Sequence, residues 1–171
     1  PMAWRGPMAG GALQQLLEQT HWTELDILVV DMPPGTGDIQ LTLAQKAAVA
    51  GAVIVTTPQD IALLDAQKGI EMFAKVKIPV LGIVENMAVH ICSNCGHEDH
   101  IFGSGGGEKV AADYSTQLLG SMPLDRSIRE RGDSGMPSVV AEPDSDIAQR
   151  YGAVARQVIE QLAALDDSSG P

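Results

Sequence analysis

Cys92 and Cys95 are the only cysteines in the 171 residues, and just Ser93 and Asn94 separate them. Thiolates at this spacing can grip one soft metal centre, whereas structural zinc and a 4Fe–4S cluster each normally take four ligands. One chain therefore supplies half of a set. His90, His97 or His100 could complete a Cys2His2 zinc site within the same loop. A cluster would instead need a second copy of the cysteine pair from a partner across a two-fold axis. A redox dithiol is the third reading, weakened because this pair does not open a helix of a thioredoxin-like unit. Spacing alone places zinc ahead of the other two.

Asp31 is the second residue with chemistry to offer. It ends the apolar run Leu25-Asp26-Ile27-Leu28-Val29-Val30 and precedes Met32-Pro33-Pro34-Gly35-Thr36-Gly37-Asp38. A carboxylate at the C-terminal end of a parallel strand faces the crevice where open α/β sheets bind ligands, and there it can hold Mg2+ through water. Glycines after it let backbone N–H groups approach a phosphate, and let the loop move when that phosphate leaves. An ordinary Pro/Gly turn is the plainer reading of Pro-Pro-Gly taken by itself. Asn86 also ends an apolar run, where Asn is more often a turn former than a ligand.

The elements that must position these groups follow from periodicity. Leu13, Leu16 and Leu17 predict a helix over Ala12 to Gln19, leading into a strand over Leu25 to Asp31. A helix from about Ile39 to Val49 comes next, then a strand over Gly51 to Thr57, stopped by Pro58, and a helix over Ile61 to Lys75. Val80 to Asn86 predicts a further strand. Nearly continuous apolar strands alternating with helices predict an α/β fold with a parallel sheet, right-handed crossovers and helices on its faces. From Met87 to Gly107 the pattern lapses into a Cys/His/Gly-rich insertion, with 88–107 as the metal-binding loop. A helix near Glu108 to Tyr114, a short strand over Leu118 to Pro123, a helical turn over Asp125 to Arg131 and a closing helix over Asp144 to about Leu165 complete one domain, with Asp144 or Ser145 as N-cap. Asp166 to Pro171 reads as a frayed, disordered tail. Gly103 to Gly107 lacks the Lys-Ser/Thr ending of a phosphate loop and reads as a flexible hinge.

Composition narrows the partners. Net charge is −11, which argues against nonspecific binding to nucleic acid or anionic membrane, since either needs a basic face. No stretch reaches the ~20 apolar residues of a membrane span, and the start lacks a signal-peptide pattern. Two cysteines three positions apart are no secreted disulfide framework, so a cytoplasmic location is expected. The chain begins at Pro1, as a fragment or a processed product would.

The run from Asp26 to Asp38 closely resembles the Walker B and switch II segment of the Mrp/ApbC iron–sulfur carriers, a branch of the MinD/ParA-like P-loop ATPases. The resemblance extends through Trp4-Arg5-Gly6-Pro7-Met8, Thr56-Thr57-Pro58-Gln59, Val84-Glu85-Asn86-Met87, Cys92-Ser93-Asn94-Cys95-Gly96-His97, Ile101-Phe102-Gly103 and Gly120-Ser121-Met122-Pro123-Leu124, in the family's order. It implies that Asp31, Pro34 and Gly35 serve the nucleotide phosphates and Mg2+, that Asn86 contacts the adenine base, and that Pro123, Leu124 and Asp125 line the other side of the base pocket. It also reverses the ranking at the cysteines, because in this family the pairs of two protomers hold a bridging 4Fe–4S cluster. His97 and His100 then become loop determinants.

Nothing in the chain matches the Gly-Lys-Gly-Gly-Val-Gly-Lys-Ser/Thr loop that this group wraps around the phosphates, and the switch I aspartate is also absent. Both lie N-terminal to the first helix in the family. Phosphoryl transfer rests on positioning and charge neutralisation, so the chain by itself should not hydrolyse ATP at a useful rate. The expectation is the C-terminal part of an ATP-dependent cluster carrier, a homodimer joined through the Cys92/Cys95 loop that serves apo iron–sulfur proteins. The alternatives are a ParA/MinD-type partitioning ATPase and a zinc-binding interaction module.

Overall fold

The computed structural model describes residues 6–32, 37, 40, 41, 43, 44 and 47–168. Helix α1 (Gly6–Gln19) starts earlier than the leucine spacing predicts, and Trp22 Nε1–H donates to the Leu17 carbonyl at 3.1 Å, satisfying an acceptor in its last turn. The main sheet is built from β1 (Ala52–Thr56), β2 (Val80–Glu85) and β5 (Leu118–Ser121), all parallel, in the order β1-β2-β5. The crossovers are α2 (Asp60–Lys75) and α3 (Gly106–Asp113); between β2 and α3 lies a hairpin of β3 (His90–Ile91) and β4 (Glu98–Asp99). After β5 come α4 (Arg126–Asp133), α5 (Ser138–Ala141) and α6 (Asp146–Ser168).

Helices cover both faces of β2 and β5, as nearly continuous apolar strands require, whereas β1 is covered on one face and exposes Val53 and Val55 on the other. Ile54 and Ile83 pack with Ala66 and Ile70 of α2 and Val110 and Ala111 of α3. Val84, Leu119 and Met122 pack on the other face against Val154 and Val158 of α6. Ile83 and Leu119 are 0% and 1% exposed, each worth roughly 1.5–3 kcal/mol relative to exposure. Gly82 has no room for a side chain: a Cβ there would come within 2.8 Å of the Gln117 carbonyl oxygen. Ser145 Oγ accepts from the Ala148 N–H at 3.2 Å, so Ser145 is the residue that caps α6.

Three expectations are corrected. Residues 25–31 form no strand, because a strand needs a hydrogen-bonded neighbour and no described strand pairs with this run; among the described residues β1 pairs only with β2. Val29 of that run is 86% exposed. Gly103 to Gly107 is not all loop: Gly103 and Gly105 take φ of 95° and 72°, but Gly106 and Gly107 are the first residues of α3, too close to Leu63 and Glu85 for a Cβ to fit without displacement. The last helix runs to Ser168, so Asp166 to Ser168 are helical, and residues 169–171 lie outside those described. Of the helix expected over Ile39 to Val49, residues 40, 41, 43 and 44 are helical.

Candidate functional site

The pairing of β2 with β5 continues past the ends of both strands. Met122 N–H donates to the Glu85 carbonyl at 2.9 Å, Ala88 N–H to Met122 at 2.9 Å, and Leu124 N–H to Val89 at 2.8 Å. This ladder brings Asn86 beside Pro123, Leu124 and Asp125, beyond the C-terminal ends of the strands, where parallel sheets gather their ligands. Asn86 N–H donates to the Thr56 carbonyl at 2.7 Å, tying the same corner to β1. Its Oδ1 accepts from the Met87 N–H at 3.0 Å, and Met87 takes the left-handed φ of 55°. Asn86 thus shapes a turn at the very corner where the base pocket is expected.

Asp125 caps α4. Its Oδ1 accepts from the Ser127 hydroxyl at 2.6 Å and from the Ser127 N–H at 2.7 Å, and these two bonds hold its carboxyl below the ordinary value.

The cysteines sit at the tip of the β3–β4 hairpin. Cys92 N–H donates to the His97 carbonyl at 2.9 Å and Gly96 N–H to the Cys92 carbonyl at 2.8 Å, with Gly96 at φ 72° closing the turn. Cys92 is half-buried and Cys95 exposed, and neither is in a disulfide. The backbone N–H groups of Asn94 and then Cys95 are directed at the Cys92 sulfur and lower its pKa, which favours the thiolate that binds metal. His90 Nδ1 bonds the Leu124 carbonyl at 3.1 Å and His100 Nδ1 bonds the Ala88 carbonyl at 2.8 Å. Two of the three histidines weighed as zinc ligands are therefore turned to backbone. Among the described residues no group of three or more His, Cys, Asp or Glu side chains is placed to hold a metal ion.

Asp31 is exposed on the irregular stretch before residue 32 and is not drawn into this corner through a strand. Pro34 and Gly35, expected at the phosphates, and the Trp4-Arg5 part of the first family block lie outside the described residues.

Glu85 is the residue that sequence reasoning missed. It is 4% exposed, and its Oε1 accepts from the Gly107 N–H at 2.9 Å, so its carboxylate occupies the start of α3 where an external anion would otherwise bind. A carboxylate ending a strand ahead of a glycine-rich helix start was the available signal.

The chain matches, over residues 1–159, the family model described as ParA, NUBPL iron-transfer P-loop NTPase. It is 64% identical over 161 residues to an iron–sulfur cluster carrier protein of Escherichia coli, covering 94% of this chain and 44% of that protein. It is 52% identical over 162 residues to the mouse iron–sulfur cluster transfer protein NUBPL, covering 95% of this chain and 51% of that one. The chain thus spans about half the length of these curated relatives. Among solved structures, a nucleotide-binding protein from Archaeoglobus fulgidus in complex with ADP superposes with a TM-score of 0.70 at 40% identity, over 81% of this chain and 56% of that one. The cell division ATPase MinD of Pyrococcus furiosus superposes at 0.65 with 23% identity, over 91% and 59%, and carries the fold alone.

Proposed function

The chain belongs to the ParA family of NUBPL iron-transfer P-loop NTPases, and from that premise we propose that it is the cluster-bearing half of an ATP-dependent iron–sulfur carrier. The observation that carries this reading is the hairpin tip: two thiols, one with its pKa lowered by backbone N–H groups, and no group of three or more ligand side chains among the described residues. Such a site is half-built. Completed by the same tip of a second chain, it would hold a 4Fe–4S cluster as cargo on four thiolates, near the surface and open to an apo-protein acceptor. A site with all its ligands in one buried cage would retain its metal instead.

The nucleotide belongs at the adjoining corner. Asn86 and the backbone of Pro123 to Asp125 would enclose the adenine base, and Asp31, Pro34 and Gly35 would serve the phosphates and, through water, Mg2+. The relatives' other half would supply the loop around the phosphates; ATP turnover belongs to that whole protein. The partitioning alternative would need a basic membrane- or DNA-facing surface. From Tyr151 to Leu165 the last helix has Arg156 as its only basic residue, and Asp166 and Asp167 follow. No described helix is long and apolar enough to cross a membrane.

Transfer is the test. The anaerobically loaded protein, mixed with an apo 4Fe–4S acceptor in the presence of a chelator that traps free iron, should activate the acceptor. Activation abolished by the chelator would mean that iron is merely leaking from the protein.

A further inference from the structure

His90 stands at the junction of the two halves of this corner. Its backbone is the first residue of β3, two positions before Cys92, while its ring bonds the Leu124 carbonyl, which belongs to the peptide leading into Asp125. The backbone ladder between 85–89 and 122–124 ends at the Leu124–Val89 bond, and the imidazole carries the connection one residue further, onto the hairpin. On the other side of that peptide, the Asp125 side chain is committed to capping α4. The Leu124–Asp125 peptide is thus held between a helix cap and a hairpin that bears the thiols.

We propose that His90 is a positioning residue that couples occupancy of the nucleotide corner to the exposure of Cys92. The inference rests on the carrier reading for its placement of the base against Pro123 to Asp125. A base seated there shifts or stiffens the Leu124 carbonyl; the hydrogen bond passes the change to β3, and the hairpin tip turns with it. The bond is donated by Nδ1–H, which neutral and charged imidazole can both provide, so the link requires no change of protonation. A hydrogen-bonded ladder with a fixed partner on each side suits transmission, because a small shift at one end has few soft torsions in which to dissipate.

The test is made on the full-length protein, free of cluster, by measuring the anaerobic alkylation rate of Cys92 by iodoacetamide with mass-spectrometric site assignment. Rates are taken with and without saturating Mg-ATP, alongside ATP affinity. In the unaltered protein ATP should change the rate about fivefold or more, the low end of ordinary allosteric coupling. His90→Asn keeps an N–H donor close to the position of Nδ1 and should retain the response. His90→Gln places its donor further out, His90→Phe has none, and both should lose the response while binding ATP as tightly as before. An unchanged ATP response in His90→Gln and His90→Phe would overturn the coupling, as would no response in an unaltered protein that binds ATP tightly. Failure to take up a cluster would count against the carrier reading instead, since the alkylation readout needs no cluster.

Discussion

At the residue scale, the site combines groups whose local roles are visible with groups whose ligands are proposed. Asn86 already spends its carbonyl oxygen on the Met87 N–H, leaving its amide N–H2 as the donor a purine would meet. In the full-length protein Asn86→Ala should therefore weaken ATP more than inorganic triphosphate, as competition binding would measure; equal losses would make Asn86 a turn residue only. Asp125 offers a second check. Its Ala variant should lose about 1 kcal/mol in chemical denaturation at neutral pH, the usual worth of an N-cap, and Asp125→Asn much less. Because the folded carboxyl titrates below its unfolded value, this contribution is fully present above the unfolded carboxylate pKa of about 3.9 and disappears as pH falls through the lower folded value. Asp125→Asn should flatten that acid limb.

At the element scale, the segment that carries the cysteines is anchored at both ends to the C-terminal end of β2: Asn86, just past the strand, turns the chain out, and Glu85, its last residue, receives it back at Gly107. Removing the carboxylate leaves a buried N–H without its acceptor, so Glu85→Ala should destabilise by about 1–3 kcal/mol, with Glu85→Gln milder because it keeps an oxygen. Amide exchange at Gly105 to Gly107 should accelerate in the Ala variant; unchanged exchange would mean that α3 is capped independently of Glu85. These elements were unequally legible in the sequence. The runs over Ala52–Thr56 and Val80–Glu85 are apolar enough to announce buried strands, and α2 follows from its spacing and from Pro58. The β3–β4 pairing was not readable, because two-residue strands of His-Ile and Glu-Asp have no periodicity to show. Leu25 to Asp31 misled for the opposite reason. Its pattern reports the burial its composition suits, and pattern alone cannot supply the neighbour that would bury it. The site itself was legible mainly through ordered blocks: a lone Asn or a lone Cys-x-x-Cys leaves its chemistry open, and the ladder that joins 85–89 to 122–124 is a property of the folded backbone.

At the scale of the whole molecule, the chain leaves apolar surface and a strand edge uncovered. Among the described residues β1 has one sheet neighbour, Val55 on its far face is 64% exposed, and the run containing Ile27 to Val30 lies open. Such edges associate. The 171-residue chain by itself should therefore self-associate in light scattering and bind Mg-ATP weakly in calorimetry, and supplying the relatives' other half should reverse both. A well-behaved monomer with micromolar ATP affinity would contradict this. The central claim, that each chain contributes two thiolates to a shared cargo, is tested most directly by iron, sulfide and zinc analysis of the full-length protein reconstituted anaerobically, combined with its mass in solution. About one 4Fe–4S cluster per two chains in a dimer is expected, lost in Cys92→Ser and in Cys95→Ser with the fold unchanged, because four thiolates are needed and each hairpin tip offers two. One zinc per monomer, resisting cluster assembly, would contradict it.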